Sequence, residues 1–366
     1  MPDISGFTSF VQNTEIEHSQ HIIAELLELL IDQNNIDLQL AELEGDALFY
    51  FKHEEVPAPA SLLAQAKQMY QAFHKHLSYY ESHRICQCGA CRTAEKLELK
   101  FVVHGGKFDF IKVKDTVKPY GPDVIKAHRL MKNNVQVDEY VLFSEDLTRI
   151  WKNDGHSIPD EQNWLDQSVQ MDMGTVKYQY LVIDEWKSNL HEVPAPNLED
   201  PAMKIMDLQL GIEAKPARLF EILSNLKYRS QWNDGIDNIE YDPDKVNRAG
   251  TKHVCVIGNN HIEFETIKSN QDPELLVYGE RTGAFPGFEF VDSYFIMTPD
   301  NNTTHLELKL LGKPKNIFAK LLRPLISMKV KKQFYFQLKQ LKKLAEEDKK
   351  VSNQQFDSIL TSNSKV

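Results

Sequence analysis

Asp3 and Asp46 are the residues of this chain best suited to chemistry on a phosphate. Asp3 stands at a strand end before Ser5-Gly6-Phe7-Thr8, a glycine turn that opens a helix, and Asp46 lies in Glu44-Gly45-Asp46, the turn of a hairpin. Two carboxylates on the edges of adjacent strands offer the oxygen ligands that hard divalent cations such as Mg2+ or Mn2+ take. Paired ions of that kind, about 3.5–4 Å apart, clamp the attacking and leaving oxygens of a phosphoryl transfer. Backbone N–H groups at a helix start favour a phosphate. The plainer alternative is that Asp3 caps a helix and Asp46 fills a turn.

Cys86-Gln87-Cys88-Gly89-Ala90-Cys91 is the second feature. Spacing this close lets several soft thiolates face one point, as Zn2+ or an iron–sulfur cluster requires. Three cysteines leave a closed zinc site one ligand short, and His83 and His104 are candidates for the fourth. The alternative is a loop of solvated thiols. With Cys255 the chain has four cysteines, in a layout unlike a disulfide framework and suited to a reducing compartment, so the expected location is the cytoplasm.

Elements that would position these residues follow from periodicity. Three-and-four spacing predicts helices over residues 15–31 and 61–80, and Gly121-Pro122 opens another over 122–132. Strands are expected at 37–44, 47–52, 97–104 and 175–184. Pro194, Pro196 and Pro201 mark a linker over 187–203. Beyond it come a strand at 205–213, a helix at 216–225, strands at 251–257, 262–268, 275–282, 288–299 and 303–311, and a closing helix from 316 to 347. Its lysines, among them Lys320, Lys329, Lys331 and Lys332, are read as a solvated face whose apolar side packs on the sheet, the alternative being a basic amphipathic helix that docks on an anionic membrane surface. The expected division is 1–186, linker 187–203, 204–347, and a disordered tail 348–366, an α+β chain throughout.

At 366 residues, two domains are the default. A content of 42% hydrophobic and 10% aromatic residues is that of a packed protein, and a net charge of −11 disfavours nucleic acid as partner. No stretch approaches the ~18 apolar residues of a membrane span.

Pro2-Asp3-Ile4-Ser5-Gly6-Phe7-Thr8, Glu44-Gly45-Asp46-Ala47, Val102-Val103-His104-Gly105-Gly106 and the run from Tyr120-Gly121-Pro122 to His128-Arg129-Leu130 occur in the order of the motifs of class III nucleotidyl cyclases. Residues 1–185 resemble that family, and most of all a little-described bacterial branch with a cysteine cluster. The resemblance implies a ferredoxin-like mixed sheet, a homodimer, and a purine nucleoside triphosphate converted to its 3′,5′-cyclic form. It puts the metal ligands on Asp3 and Asp46, an arginine that steadies the transition state on Arg129, and base reading on Glu42 and Lys118. The chain departs from the pattern at Ile125, where an asparagine is expected, and at Lys118, where an aspartate or cysteine is expected, and for the late triphosphate lysine Lys177 is merely the nearest residue. With only Met1-Pro2 before Asp3, further chain upstream is expected.

Ala214-Lys215-Pro216-Ala217-Arg218-Leu219-Phe220-Glu221-Ile222-Leu223, then Trp232 and the closing helix, resemble the START-like (SRPBCC) superfamily that includes polyketide cyclases. That implies a helix-grip domain, a curved antiparallel sheet around the last helix enclosing an apolar pocket for a lipid or another hydrophobic molecule. Phe264, Tyr278, Phe288, Phe290 and Tyr294 are its candidate walls, with ordinary core packing as the alternative. Two functions follow: a cyclase-like signalling protein coupled to a hydrophobic-ligand domain, or a catalytically silent nucleotide- and metal-binding module that regulates such binding.

Overall fold

The computed structural model describes residues 1–362 except 15, 54, 87, 160–162, 173, 191–193, 195–197, 202, 268–274 and 302, and the side chains of 17, 189 and 348–362. The chain is α+β and groups into two compact units, Met1–Glu81 with Cys88–Val193, and Ser82–Gln87 with Pro194–Val366. Of the expected linker, residues 191–193, 195–197 and 202 lie outside the described residues, and a 3-10 turn covers Asp184–Asn189.

The first unit runs β1 (Pro2–Ser5), α1 (Phe7–Gln12), α2 (Ile16–Asp32), β2 (Gln39–Glu44), β3 (Ala47–Phe51), α3 (Pro59–Ser82), α4 (Gly89–Thr93) and β4 (Glu98–Val103). It continues with β5 (Asp109–Val113), β6 (Thr116–Tyr120), α5 (Pro122–Leu130), β7 (Tyr140–Ser144), α6 (Glu145–Asn153), β8 (Leu165–Met171) and β9 (Gly174–Val182). Seven strands form one sheet in the order β2-β3-β1-β4-β7-β9-β8, and β5-β6 is a separate hairpin. β1 is antiparallel to both β3 and β4, whereas β4 and β7 run parallel. Ile22, Leu26 and Leu30 of α2 and Leu62, Met69, Phe73 and Leu77 of α3 are buried, the three-and-four stripes that hold amphipathic helices to a core. Gly6 joins β1 to α1 at φ 84°, a conformation that disfavours any residue with a Cβ.

The second unit begins β10 (Met203–Ile212), α7 (Pro216–Ser224), α8 (Arg229–Trp232), β11 (Asn238–Glu240), β12 (Lys252–Ile257) and β13 (Asn260–Ile267). Then come β14 (Leu276–Thr282), β15 (Phe288–Asp300), β16 (Thr303–Pro314), α9 (Ile317–Leu321) and α10 (Arg323–Ser362). Its sheet is antiparallel throughout, in the order β10-β16-β15-β14-β13-β12-β11. α10 lies against β10, α7 and α8. Leu338, Leu341 and Ala345 are buried in that contact, and Lys342 Nζ donates to Gly211 O at 2.8 Å. This is the helix-grip arrangement.

Two expectations are corrected by the structure. The single closing helix is interrupted at Leu322, just before Pro324, whose missing N–H cannot continue the ladder. The apolar side of the basic helix is fully packed mainly in its later turns: Ala319 is buried and Ile326, Val330 and Phe334 half-buried, but Ile317, Phe318, Leu321, Leu325 and Met328 are exposed, because the continuous buried stripe begins near Gln337. No helix among the described residues is long and apolar enough to cross a membrane.

Candidate nucleotide and metal sites

β1 and β3 bring the two aspartates together. Asp3 is the register partner of Ala47, and Ile4 N–H donates to Asp46 O at 3.1 Å across the turn. The Asp46 carboxyl is held above its usual value, first by burial and then by the negative charge of Asp3. A third residue shares this place. Lys100, opposite Asp3 on β4, puts Nζ 2.7 Å from Asp3 Oδ2. Burial opposes the Lys100 charge, but its bond to Asp3 and the Asp3 charge outweigh burial and raise its pKa. A residue on the neighbouring strand but so far along the chain was invisible to motif reading. Its ammonium competes for Asp3 Oδ2, one of the oxygens that divalent ions at this place would need.

Glu42 on β2 and Lys118 on β6 meet each other, with Nζ 2.8 Å from Oε2. Arg129 of α5 is held by Asp172 in the turn between β8 and β9, Nη1 to Oδ2 at 2.6 Å. Ile125 is half exposed on α5, and Lys177 is exposed on β9.

The Val103-His104-Gly105-Gly106 segment leaves β4 and builds a different cluster. His104 Nδ1 lies 2.8 Å from Ser144 Oγ, and Nε2 lies 3.4 Å from Asp123 Oδ1. Asp123 accepts from Lys107 N–H at 2.8 Å, an approach open only because residue 106 is glycine, since a Cβ there would overlap the Asp123 side chain. Burial pushes the His104 imidazole down, so it is neutral at pH 7. His104 and Asp123 border a cavity of about 180 Å3 whose other walls include Phe49, Phe101, Phe108 and Met69.

The cysteine loop closes on an unexpected ligand. Cys88 caps α4, its Sγ accepting from Cys91 N–H at 3.4 Å. His18 of α2 brings Nδ1 to 3.3 Å from Cys88 Sγ and 3.5 Å from Cys91 Sγ. With Cys86, the four ligand atoms lie within 4.8 Å of one another. His104 is committed to Ser144 and Asp123, and His83 Nδ1 to Ser82 Oγ at 2.7 Å, so the fourth position falls to His18 instead of the two histidines near the loop. None of the four cysteines is in a disulfide. This cluster can hold a metal ion.

In the second unit the five aromatic candidates do not form one wall. Alternation along β14 and β15 puts Tyr278 opposite Phe295 on one face, and Gly279 and Arg281 opposite Tyr294 and Asp292 on the other. Tyr278 and Phe288 are fully buried. Phe290 and Tyr294 belong with Arg281, whose guanidinium stacks 3.8 Å from the Phe290 ring and pairs with Asp292 at 2.7 Å. Phe264 stacks on His253 within the Tyr278 face.

That face holds a buried ionic cluster absent from the sequence reading. Arg229 of α8 bonds Glu280 of β14; Tyr278 donates to Glu280 at 2.7 Å, and His253 Nε2 lies 3.5 Å from it. All four side chains are at most 3% exposed. Burial drives the His253 pKa down to about 4. The unfolded chain therefore takes up a proton at His253 first, and folding stability falls as pH drops from about 6.5 to 4, by on the order of 3 kcal/mol. Glu280 acts at the acid end: burial raises its pKa, but Arg229 with the bonds from Arg229 and Tyr278 and the nearby His253 together lower it, so its contribution is present above the ordinary carboxylate range and lost as pH falls through the folded value. We expect the urea midpoint of the second unit to drop between pH 7 and about pH 5, and His253→Leu to remove most of that unit's slope; an unchanged slope would show that the imidazole is not held neutral.

The family model described as a protein of unknown function, DUF2652, matches residues 23–140. An uncharacterized protein of Mycobacterium tuberculosis, Rv2561/Rv2562, is 37% identical over 128 residues, covering 34% of this chain and 57% of that protein. The chain thus spans little more than half the length of this relative. Among solved structures, TTHA0849 from Thermus thermophilus is 20% identical over 38% of this chain and 94% of its own, with a TM-score of 0.28. Ara h 8.0201 is 12% identical over 39% and 97%, TM-score 0.31, and truncated norcoclaurine synthase from Thalictrum flavum 15% over 41% and 97%, TM-score 0.32.

Proposed function

We propose that the first unit is a cyclase-type nucleotide-binding module without turnover, steadied by zinc at its cysteine cluster, and that it regulates binding of a hydrophobic ligand by the second unit. The strand order β2-β3-β1-β4, antiparallel at each pairing, supports a ferredoxin-like sheet of the cyclase type. The adjacent Asp3 and Asp46, and the meeting of Glu42 with Lys118, support a nucleotide site.

The Lys100–Asp3 ion pair carries the silent reading. Its ammonium brings positive charge to the carboxylates and occupies Asp3 Oδ2, so an ion that would activate a ribose hydroxyl has to displace it there. Ile125 offers no hydrogen bond, and one missing transition-state donor typically costs about 10²–10³ in rate. The closeness of Asp3 and Asp46 favours a second reading, an active cyclase.

For the cysteine cluster, three thiolates and an imidazole are a donor set for tetrahedral zinc, at ~2.3 Å to sulfur and ~2.0–2.1 Å to nitrogen. Cys86 and Cys91 are buried, as suits a closed structural site.

Purified protein given Mn2+ with ATP or GTP is expected to bind nucleotide by calorimetry yet form no cyclic product above the Asp46→Ala background. Glu42→Ala and Lys118→Ala should each weaken binding roughly tenfold, the scale of one charge-assisted hydrogen bond. Cyclic product that disappears in Asp46→Ala would establish the enzyme instead. Absence of nucleotide binding would end both readings.

A further inference from the structure

α9 and the opening turns of α10 present large apolar side chains to solvent. Phe318 is 68% exposed, Leu321 70%, Leu325 61% and Met328 65%. A monomeric surface rarely clusters such residues unless something covers them. In α10 the three-and-four spacing carries the same face onward from Leu325 and Met328 to Lys329, Lys332, Tyr335, Phe336 and Lys339. The last five residues line one open groove, together with Gln333, Gln337 and the single carboxylate of Asp234.

Charge identifies what covers this face. Residues 315–339 carry seven Lys or Arg and no Asp or Glu, in a chain whose net charge is −11. All seven are exposed, and none lies within ion-pair distance of a carboxylate among the described residues. A second copy of this acidic chain would meet the apolar residues but would need a concentrated acidic patch for the cations. An anionic bilayer supplies both parts at once: acyl chains for Phe318, Leu321, Leu325 and Met328, and a sheet of phosphates for the lysines, whose stems can lie along the boundary.

We propose that α9 and the first half of α10 form an interfacial anchor that docks the second unit on anionic phospholipid. α9 and the start of α10 lie in the headgroup region with their apolar side inward. The Lys329, Lys332 and Lys339 groove takes lipid phosphates, and Tyr335 and Phe336 sit at the boundary. The contact is peripheral, and attraction to the surface falls with salt because the cations are exposed. This inference does not depend on the nucleotide reading.

Full-length protein is mixed with vesicles of phosphatidylcholine, or of phosphatidylcholine with about one-third phosphatidylserine, and sedimented. The expected result is at least about tenfold tighter binding to the anionic vesicles, weakened by added salt. Leu321→Asp with Leu325→Asp should abolish binding, and Lys329→Glu with Lys332→Glu should remove the phosphatidylserine preference. All four positions are exposed, so native circular dichroism and an unchanged thermal midpoint are expected of both variants. Equal binding to both vesicle types, no binding, variants that bind like the parent, or self-association lost in Leu321→Asp without vesicle binding would each overturn the proposal.

Discussion

Replacing Glu280 by alanine should destabilise the second unit by about 3–5 kcal/mol, the scale of removing one partner from a buried ion pair. Arg229 and Glu280 are 3% and 2% exposed, so neither charge has water to fall back on. Arg229 Nε and Nη1 already lack protein partners, and Glu280 is the carboxylate that holds Nη2. Without it, a guanidinium stays beneath the rings of Trp232 and Phe264, 4.8 and 5.5 Å from their centroids, and Tyr278 loses the acceptor of its hydroxyl. Cation–π attraction of ~2 kcal/mol cannot offset that desolvation. Urea titration with hydrogen exchange read on β14 peptides would measure the loss. The double change Arg229→Met with Glu280→Leu removes both charges and should recover most of it. If Glu280→Ala costs less than about 1 kcal/mol, the pair is hydrated and the cluster is not a closed core element.

The second large effect is expected at the cysteine loop. Protein produced with ample zinc should carry one equivalent by elemental analysis, and Cys88→Ala, Cys91→Ala or His18→Ala should each lose it. His83→Ala and His104→Ala should keep it. Zinc that binds the folded protein and not the unfolded chain stabilises the fold by about 4 kcal/mol when free metal is about 1,000 times Kd, so chelation should lower the melting point clearly. Loss of metal in His83→Ala with retention in His18→Ala would reverse the ligand assignment made from the Nδ1 to Sγ distances. Protein free of metal at full stability would make the loop a cluster of packed thiols.

What escaped the linear reading has physical causes. β7, Tyr140–Ser144, is buried at every position, so it lacks the alternation that marks a strand with one wet face. β5 and β6 fail in the opposite way: Phe110, Ile111, Val113 and Val117 are exposed, and the hairpin turns through Lys114 at φ 54° instead of a glycine. His18 and Lys100 carry no local signal, because each acts through a partner about 70 to 100 residues away.

Composition, periodicity and turn residues were enough to place the helices α2, α3 and α5 and the antiparallel run of the second unit, because burial of a stripe or a face is written in the spacing of nearby residues. They also singled out Asp3, Asp46 and the three clustered cysteines by residue type. Only the tertiary structure decided what those groups meet: Lys100 against Asp3, Lys118 against Glu42, His18 against the thiols, and Arg229 against Glu280. It alone decided that the apolar side of α9 and early α10 stays in solvent. Pairings between distant strands and helices are set by how whole faces stack, and that depends on contacts that no short stretch of chain contains.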